Sequence, residues 1–215
     1  LSKLRNQNRW AICCYNVECS VLGHLFDTAI FAYLLALDDS NLDEAYASKM
    51  FFMGIFHDIA ETWTKDIPSP IKDRIEGFRK ATEQYEDEVL RENVYTVVDD
   101  YMEKAIKEVM MEDETNSQYK KKMKEADYLS ADSECYRNLL SGSRDPEFID
   151  VITRRKPTEE DTSKLYAEIH DHFAEYAESC KTKFMPVISE RQPEVDMLKM
   201  YEEICQLLKK NDEKR

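Results

Sequence analysis

An all-α helical bundle is the fold class this 215-residue sequence predicts, and three observations predict it. Only 4 Gly and 6 Pro are present and 34% of the residues are charged, a balance that favours long helices over a turn-rich sheet protein. Apolar residues recur at helical spacing, as in Leu22, Phe26, Ala29, Ile30, Tyr33 and Ala36, and again from Phe78 to Val109. The length fits one domain, residues 1–215, with room for a sizeable core.

Charge narrows the partners. A formal net charge of −14 argues against nucleic-acid polymers and anionic membranes, which need a basic face. A small phosphorylated substrate, such as one nucleotide, stays open, because one metal ion and a few local cations can hold it. No stretch approaches 18 uninterrupted apolar residues and the N-terminal LSKLRNQNRW has no apolar region, so the expectation is a cytoplasmic protein. Six cysteines, with no CxxC pair and no zinc-finger spacing, read as reduced thiols.

In chain order, residues 1–12 predict a short helix with an aromatic end at Arg9-Trp10. Ser20 is a reasonable N-cap for a helix to about Leu37, with His24 in its first turn, where a histidine serves as surface or capping residue or as a ligand. LDDSNLD is a loop, capped at Asn41 or Asp43. A helix over 43–60 follows and is stopped at Pro68 and Pro70. One long amphipathic helix is expected from Phe78 to Met111, with Tyr85 and Tyr101 on its packed face. The next helix spans 118–141, with Met123, Ala126, Asp127 and Ser130 on one stripe. SGSRDP is a turn, and helices near 163–181 and 194–209 close the chain. His170 and His172 point about 200° apart on a helix, so they cannot share one ion and read as packing or surface residues.

The stretch on which the rest depends is GIFHDIAETWTKDIPSPIK, residues 54–72. Into an apolar run the sequence places His57, Asp58 and then Glu61, which on a helix share a stripe with Met50 and Gly54. Ionisable groups on a core-facing stripe are costly to bury alone. A divalent cation would remove that cost, since imidazole and carboxylate are its natural ligands. A hydrogen-bonded buried His57 beside an exposed Asp58 is the other reading. Asp127 divides the same way, between a second buried acid and a surface residue.

Taken together, Arg9-Trp10, His24 at a helix start, the HDxxE string His57-Asp58-Ile59-Ala60-Glu61, the string from Thr64 to Lys72, and Ala126-Asp127 with Leu129 and Ser130 resemble the HD-domain metal-dependent phosphohydrolases. The likeness is to the bacterial 5′-deoxynucleotidase branch, and it spans about residues 5–140, with 141–215 as added helices completing the bundle. The family commonly has Glu-His-Ser around the first histidine; here Gly23-His24-Leu25 stands there.

The resemblance implies an HD-domain bundle with the metal between core helices. His24, His57, Asp58 and Asp127 would hold one divalent ion, and two imidazoles with two carboxylates suit Mn²⁺, Co²⁺, Fe²⁺, Ni²⁺ or Zn²⁺. Asp58 and Glu61 are the catalytic candidates, Glu61 as acid/base or as support for a ligating histidine. Arg9 is the candidate for the phosphate, Trp10 and Asp66 for the nucleoside. The implied reaction is metal-dependent release of phosphate from (deoxy)nucleoside 5′-monophosphates. Hydrolysis of a cyclic or pyrophosphate-containing nucleotide, or nucleotide binding without catalysis, are the alternatives. A homodimer is the assembly the resemblance suggests.

Overall fold

The computed structural model describes residues 2–39, 44–67, 72, 75–110, 117–155, 157 and 163–191. The chain divides into two compact units, Leu1–Glu178 and Ser179–Arg215. The site and core described below belong to the first. Among the described residues the regular structure is helical, and no helix is long and apolar enough to cross a membrane.

The N-terminal stretch differs from the expected helix. Leu4–Asn6 makes a single 3₁₀ turn, after which the chain runs back along the start of the first helix. Val21 N donates to Gln7 O at 2.8 Å and Arg9 N to Cys19 O at 2.8 Å. Leu4 is buried against Val21 and Leu25. Trp10 then takes a left-handed backbone conformation, φ 60°, which a continuous helix does not allow. Long-range bonds to residues 19–21 therefore replace the local helical ladder.

Helix α1, Val21–Leu37, begins at Ser20, whose Oγ accepts from Gly23 N at 3.1 Å. Helix α2 is Glu44–Phe56 and α3 is Glu61–Thr64. Helix α4, Phe78–Asn93, and α5, Asp100–Met110, are separate, with a 3₁₀ turn at Tyr95–Val97 between them. The single helix expected over 78–111 fails because Asp99 starts a new one, its Oδ1 accepting from Met102 N at 2.8 Å. Tyr85 and Tyr101, expected in the core, are 52% and 82% exposed. Helix α6 is Ser117–Leu140, close to the expected span. The SGSRDP turn has Gly142 at φ 88° and Asp145 capping α7, Pro146–Arg154, with proline in the first turn. Helix α8 is Lys164–Arg191, longer than expected. The cap at Asn41 or Asp43, the prolines Pro68 and Pro70, and the helix near 194–209 lie outside the described residues.

Helix α1 is central, packing on α2 along one side and on α6 along another. The main core joins Ala32, Leu35 and Ala36 of α1, Tyr46, Ala47 and Met50 of α2, Met123, Ala126 and Leu129 of α6, and Tyr166 of α8. The α1–α2 crossing is close enough that a Cβ on Gly54 would stand 2.4 Å from Ala29 Cα and 2.7 Å from Ala29 N. Glycine is required there by backbone contact. That crossing sets the height at which α2 ends, and the site forms at that end.

Candidate active site

Helix α2 does not continue through the HD pair. It stops at Phe56, and residues 57–60 form a turn, with Ile59 N bonded to Phe56 O and Glu61 N to Asp58 O. The expected helix over 43–60 is thus cut short. His57 and Asp58 gain from this, because a turn lets two adjacent side chains reach one point, which a helix does not.

His57 Nδ1 donates to Gly54 O at 2.8 Å, which leaves Nε2 as the ring's lone-pair nitrogen in the neutral form. Nε2 is 3.1 Å from Asp58 Oδ2 but out of hydrogen-bond alignment, and it is buried without a hydrogen-bond partner. His24 is 1% exposed on the inner face of α1, so it is no surface or capping residue. Its Nδ1 is hydrogen-bonded to Ser130 Oγ at 2.9 Å, and its Nε2 lies 3.2 Å from Asp127 Oδ1. The two imidazoles are 5.5 Å apart. One ligand atom from each of His24, His57 and Asp58 falls within 4.8 Å of the others. Asp127 joins them through His24, and its Oδ2 accepts from Lys124 Nζ at 3.0 Å.

The donor set fits a divalent ion: two imidazoles whose Nδ1 atoms are hydrogen-bonded elsewhere, two carboxylates, and an orphaned buried nitrogen among them. The electrostatics agree. Burial by itself would lower the basicity of His57, yet Asp58, with Asp127, drives it up to about 9. Asp58 is held at about 2, since His57 outweighs the opposing effect of burial. Asp127 is likewise drawn well below its ordinary value by His24 and Lys124 against burial. These anions call for positive charge at their centre.

Beside this group is a polar cavity of about 250 Å³, with Arg9, Asp58, Glu61, Asp66, Lys72 and Asp127 among its walls. Glu61 is 5% exposed, and its Oε2 has no hydrogen-bond partner. Burial, then the neighbouring Asp58 and Asp66, pushes its carboxyl up to about 9. Arg9 Nη1 lies 4.0 Å from Asp66 Oδ2. A wider cleft of about 970 Å³ opens from the same His57, Asp58 and Asp127 and is walled by Met53, Leu90 and Tyr128 among others.

Trp10 lines neither of these cavities. Its indole Nε1 donates to Glu134 Oε2 at 2.8 Å and its ring meets Phe148 edge-on at 5.5 Å. Glu134 escaped the sequence reading, although it continues the α6 stripe of Met123, Asp127 and Ser130 one further turn. An acid at that spacing was the available signal. Away from the site, His170 is packed between Asp132 Oδ2, 3.0 Å, and Arg155 O, 2.8 Å. His172 is exposed. Both match the packing and surface roles expected of them.

Comparison with known proteins places this chain in a family. Residues 1–162 match the family model described as 5′-deoxynucleotidase YfbR-like. The 5′-deoxynucleotidase YfbR of Shigella boydii serotype 18 is 28% identical over 163 residues, covering 74% of this chain and 79% of the relative. That of Escherichia coli O1:K1 / APEC is 29% identical over 164 residues, with coverage of 74% and 79%. Two solved structures share the fold. An HD-domain phosphohydrolase from Listeria innocua has a TM-score of 0.59 at 18% identity, covering 85% of this chain and 81% of its own. A protein from Pyrococcus horikoshii OT3 has a TM-score of 0.58 at 23% identity, covering 81% and 94%. With a match that spans residues 1–162, this chain belongs to the YfbR-like 5′-deoxynucleotidase family.

Proposed function

We propose that the chain releases inorganic phosphate from deoxynucleoside 5′-monophosphates, with His24, His57, Asp58 and Asp127 holding one divalent ion. The observation that carries this reading is the convergence of His24, His57 and Asp58 ligand atoms within 4.8 Å, beside a cavity that Arg9 and Glu61 line. When bound, such an ion lowers the pKa of a water molecule and draws charge from a phosphoryl group. Mn²⁺, Co²⁺, Fe²⁺, Ni²⁺ and Zn²⁺ all suit two imidazoles and two carboxylates.

The chain's own groups do the rest. Arg9 brings a fixed positive charge to the cavity and receives the phosphate oxygens. Glu61, buried and without a partner for Oε2, would be ionised once a cation offsets Asp58 beside it, and would then take up a proton from the attacking water and return it to the leaving 5′ oxygen. Asp58 serves as ligand and as the negative charge that keeps Glu61 basic enough to act. Asp66, on the cavity wall, accepts a hydrogen bond from a sugar hydroxyl. Trp10 serves the substrate by holding Glu134 and with it Arg9.

The partner is a nucleotide and not a polymer, and the protein acts in the cytoplasm, where its cysteines stay unbridged: the described Cys13, Cys14, Cys19, Cys135 and Cys180 are free thiols. A homodimer is the assembly we favour. The wide cleft that shares Asp58 and Asp127 with the polar cavity favours, as a second reading, a phosphoester with a larger leaving group.

The test is phosphate release from deoxy- and ribonucleoside monophosphates and from cyclic and pyrophosphate-containing nucleotides, with Mn²⁺, Co²⁺ or EDTA. Metal-dependent release from deoxynucleoside monophosphates that vanishes in Asp58→Ala is the expected result. Release confined to the other phosphoesters would transfer the reading to the larger class, and release that survives both EDTA and Asp58→Ala would overturn the site.

A further inference from the structure

Glu134 is a fully buried acid that the reaction as described does not use. It lies on α6, two turns beyond Asp127, with no exposed surface. Its Oε2 accepts from Arg9 Nε at 3.0 Å and from Trp10 Nε1 at 2.8 Å. Its Oε1 is 3.5 Å from His24 Nδ1 and has no hydrogen-bond partner. Paired with a guanidinium and an indole N–H on one oxygen, this carboxyl is placed as an anion. An unpaired buried carboxylate is among the costliest groups a core can carry, which makes its three neighbours significant.

We propose that Glu134 is a positioning residue that couples the phosphate-holding Arg9 to the metal-ligating His24. The inference rests on the roles given to those two residues above. With Nε bound to Glu134, the orientation of the planar guanidinium is set, and its Nη1 lies 4.0 Å from Asp66 Oδ2 on the wall of the cavity that Arg9 also lines. On its other side the carboxylate places negative charge 3.5 Å from His24 Nδ1, which is also hydrogen-bonded to Ser130 Oγ. That charge favours the proton on Nδ1, which would free the Nε2 lone pair for the ion the site takes. The residue before His24 is Gly23, so the acid comes across from α6 rather than from α1 itself. Trp10 completes the bracket: the indole N–H saturates Oε2 while Phe148 supports the ring.

The experiment measures binding, so it stands apart from turnover. Mn²⁺ is titrated calorimetrically onto metal-free protein, and inorganic phosphate onto the Mn²⁺-loaded form, for wild type, Glu134→Gln, Glu134→Asp, Arg9→Lys and the Glu134→Gln/Arg9→Lys double variant. Glu134→Gln should weaken Mn²⁺ binding by about tenfold or more, as loss of a partner behind a ligating histidine does, and phosphate binding by about tenfold. Glu134→Asp, which keeps the charge, should recover Mn²⁺ affinity to within about threefold of wild type. On phosphate binding the double variant should be no worse than Glu134→Gln alone, because both changes act through one guanidinium. Additive penalties, or wild-type affinities in Glu134→Gln, would overturn the proposal. If Glu134→Gln does not fold, Trp10→Phe replaces it: the ring on Phe148 stays, one bond to Oε2 goes, and phosphate binding should weaken with Mn²⁺ binding unchanged. Unchanged phosphate binding there also overturns it. A wild type that binds Mn²⁺ and phosphate in this pattern yet releases no phosphate from any nucleotide would refute the proposed function and leave the coupling intact.

Discussion

His24 Nε2 lies 3.2 Å from Asp127 Oδ1, although 103 residues separate the two. The contact exists because α1 packs along α6, with Ala126 and Leu129 of α6 joining Ala32, Leu35 and Ala36 of α1 in the same core. The turn after α2 brings His57 and Asp58 to the same place from a third direction. A site assembled by three separate elements depends on the core beneath it.

Removing divalent ions with EDTA should lower the melting temperature. A ligand that binds only the folded state, at a hundred times its Kd, contributes about 2.7 kcal/mol. For a chain of this size that is a shift on the order of 5–10 °C. Differential scanning fluorimetry with and without added Mn²⁺ or Co²⁺ reads it, and Asp58→Ala and Asp127→Ala should show no such response. A wild-type melting temperature indifferent to EDTA and to added metal would count against the ligand set.

Glu61→Gln separates chemistry from metal holding. Turnover should fall by about 10²- to 10⁴-fold, the usual contribution of a positioned acid/base, while metal affinity stays near wild type. The metal-free protein adds a pH signature. Burial and Asp58 raise the Glu61 carboxyl from 4.5 to about 9. The stability it contributes is therefore full below 4.5 and is lost as the pH climbs toward 9, where the folded protein must carry a buried anion. Urea denaturation of the metal-free forms should show the wild type losing stability relative to Glu61→Gln across that window. Parallel pH profiles for the two would refute the environment assigned to Glu61.

Gly54→Ala should damage fold and site together. The new Cβ would meet Ala29 Cα at 2.4 Å, a backbone atom that cannot swing aside. Overpacking of this kind costs on the order of 1–3 kcal/mol or more. Gly54 O also receives the His57 Nδ1 proton, so a shifted α2 misplaces the ligand. Lower stability with weaker Mn²⁺ binding is the expected pair of results in chemical denaturation and calorimetry. Ala29→Gly should fail to rescue it, since the obstruction is main chain.

Arg9→Ala and Arg9→Lys should part company. Alanine leaves Glu134 buried without its cation, a loss of about 3–5 kcal/mol for a broken buried pair. Lysine keeps the charge but lacks the fork that binds Glu134 through Nε and still presents Nη groups to the cavity. The lysine variant should fold and show KM for a monophosphate raised by roughly tenfold, the worth of one charge-assisted hydrogen bond. Identical stability in all three proteins would contradict the buried pairing.

The HD pair was legible as a candidate because it is local: two ionisable residues interrupting an apolar run stand out in the sequence, although the pair alone also fits a hydrogen-bonded buried histidine beside an exposed acid. Glu134 was not, because its meaning comes from Arg9, Trp10 and His24, all more than 100 residues away in sequence. The helix boundary at Phe56 was missed for a related reason. Apolar periodicity continues through Ile59 and Ala60, both of which are buried, so nothing local marks the turn that aims His57 and Asp58 together. Tyr85 and Tyr101 looked like core because they fit the helical spacing, yet spacing gives a face and not what covers it.

By itself, the sequence determined that the chain is helical and that an ionisable pair, His57-Asp58, interrupts an apolar run, while the set of four candidate metal ligands came from its resemblance to a family. Those properties depend on composition, local periodicity and residue chemistry, which travel with the chain. The tertiary structure alone decided that Trp10 turns inward, that Glu134 joins Arg9 to His24, and that Glu61 is buried with a free oxygen. These follow from how α1, α2 and α6 cross, and a crossing is set by the summed packing of many residues, with Gly54 against Ala29 the tightest point.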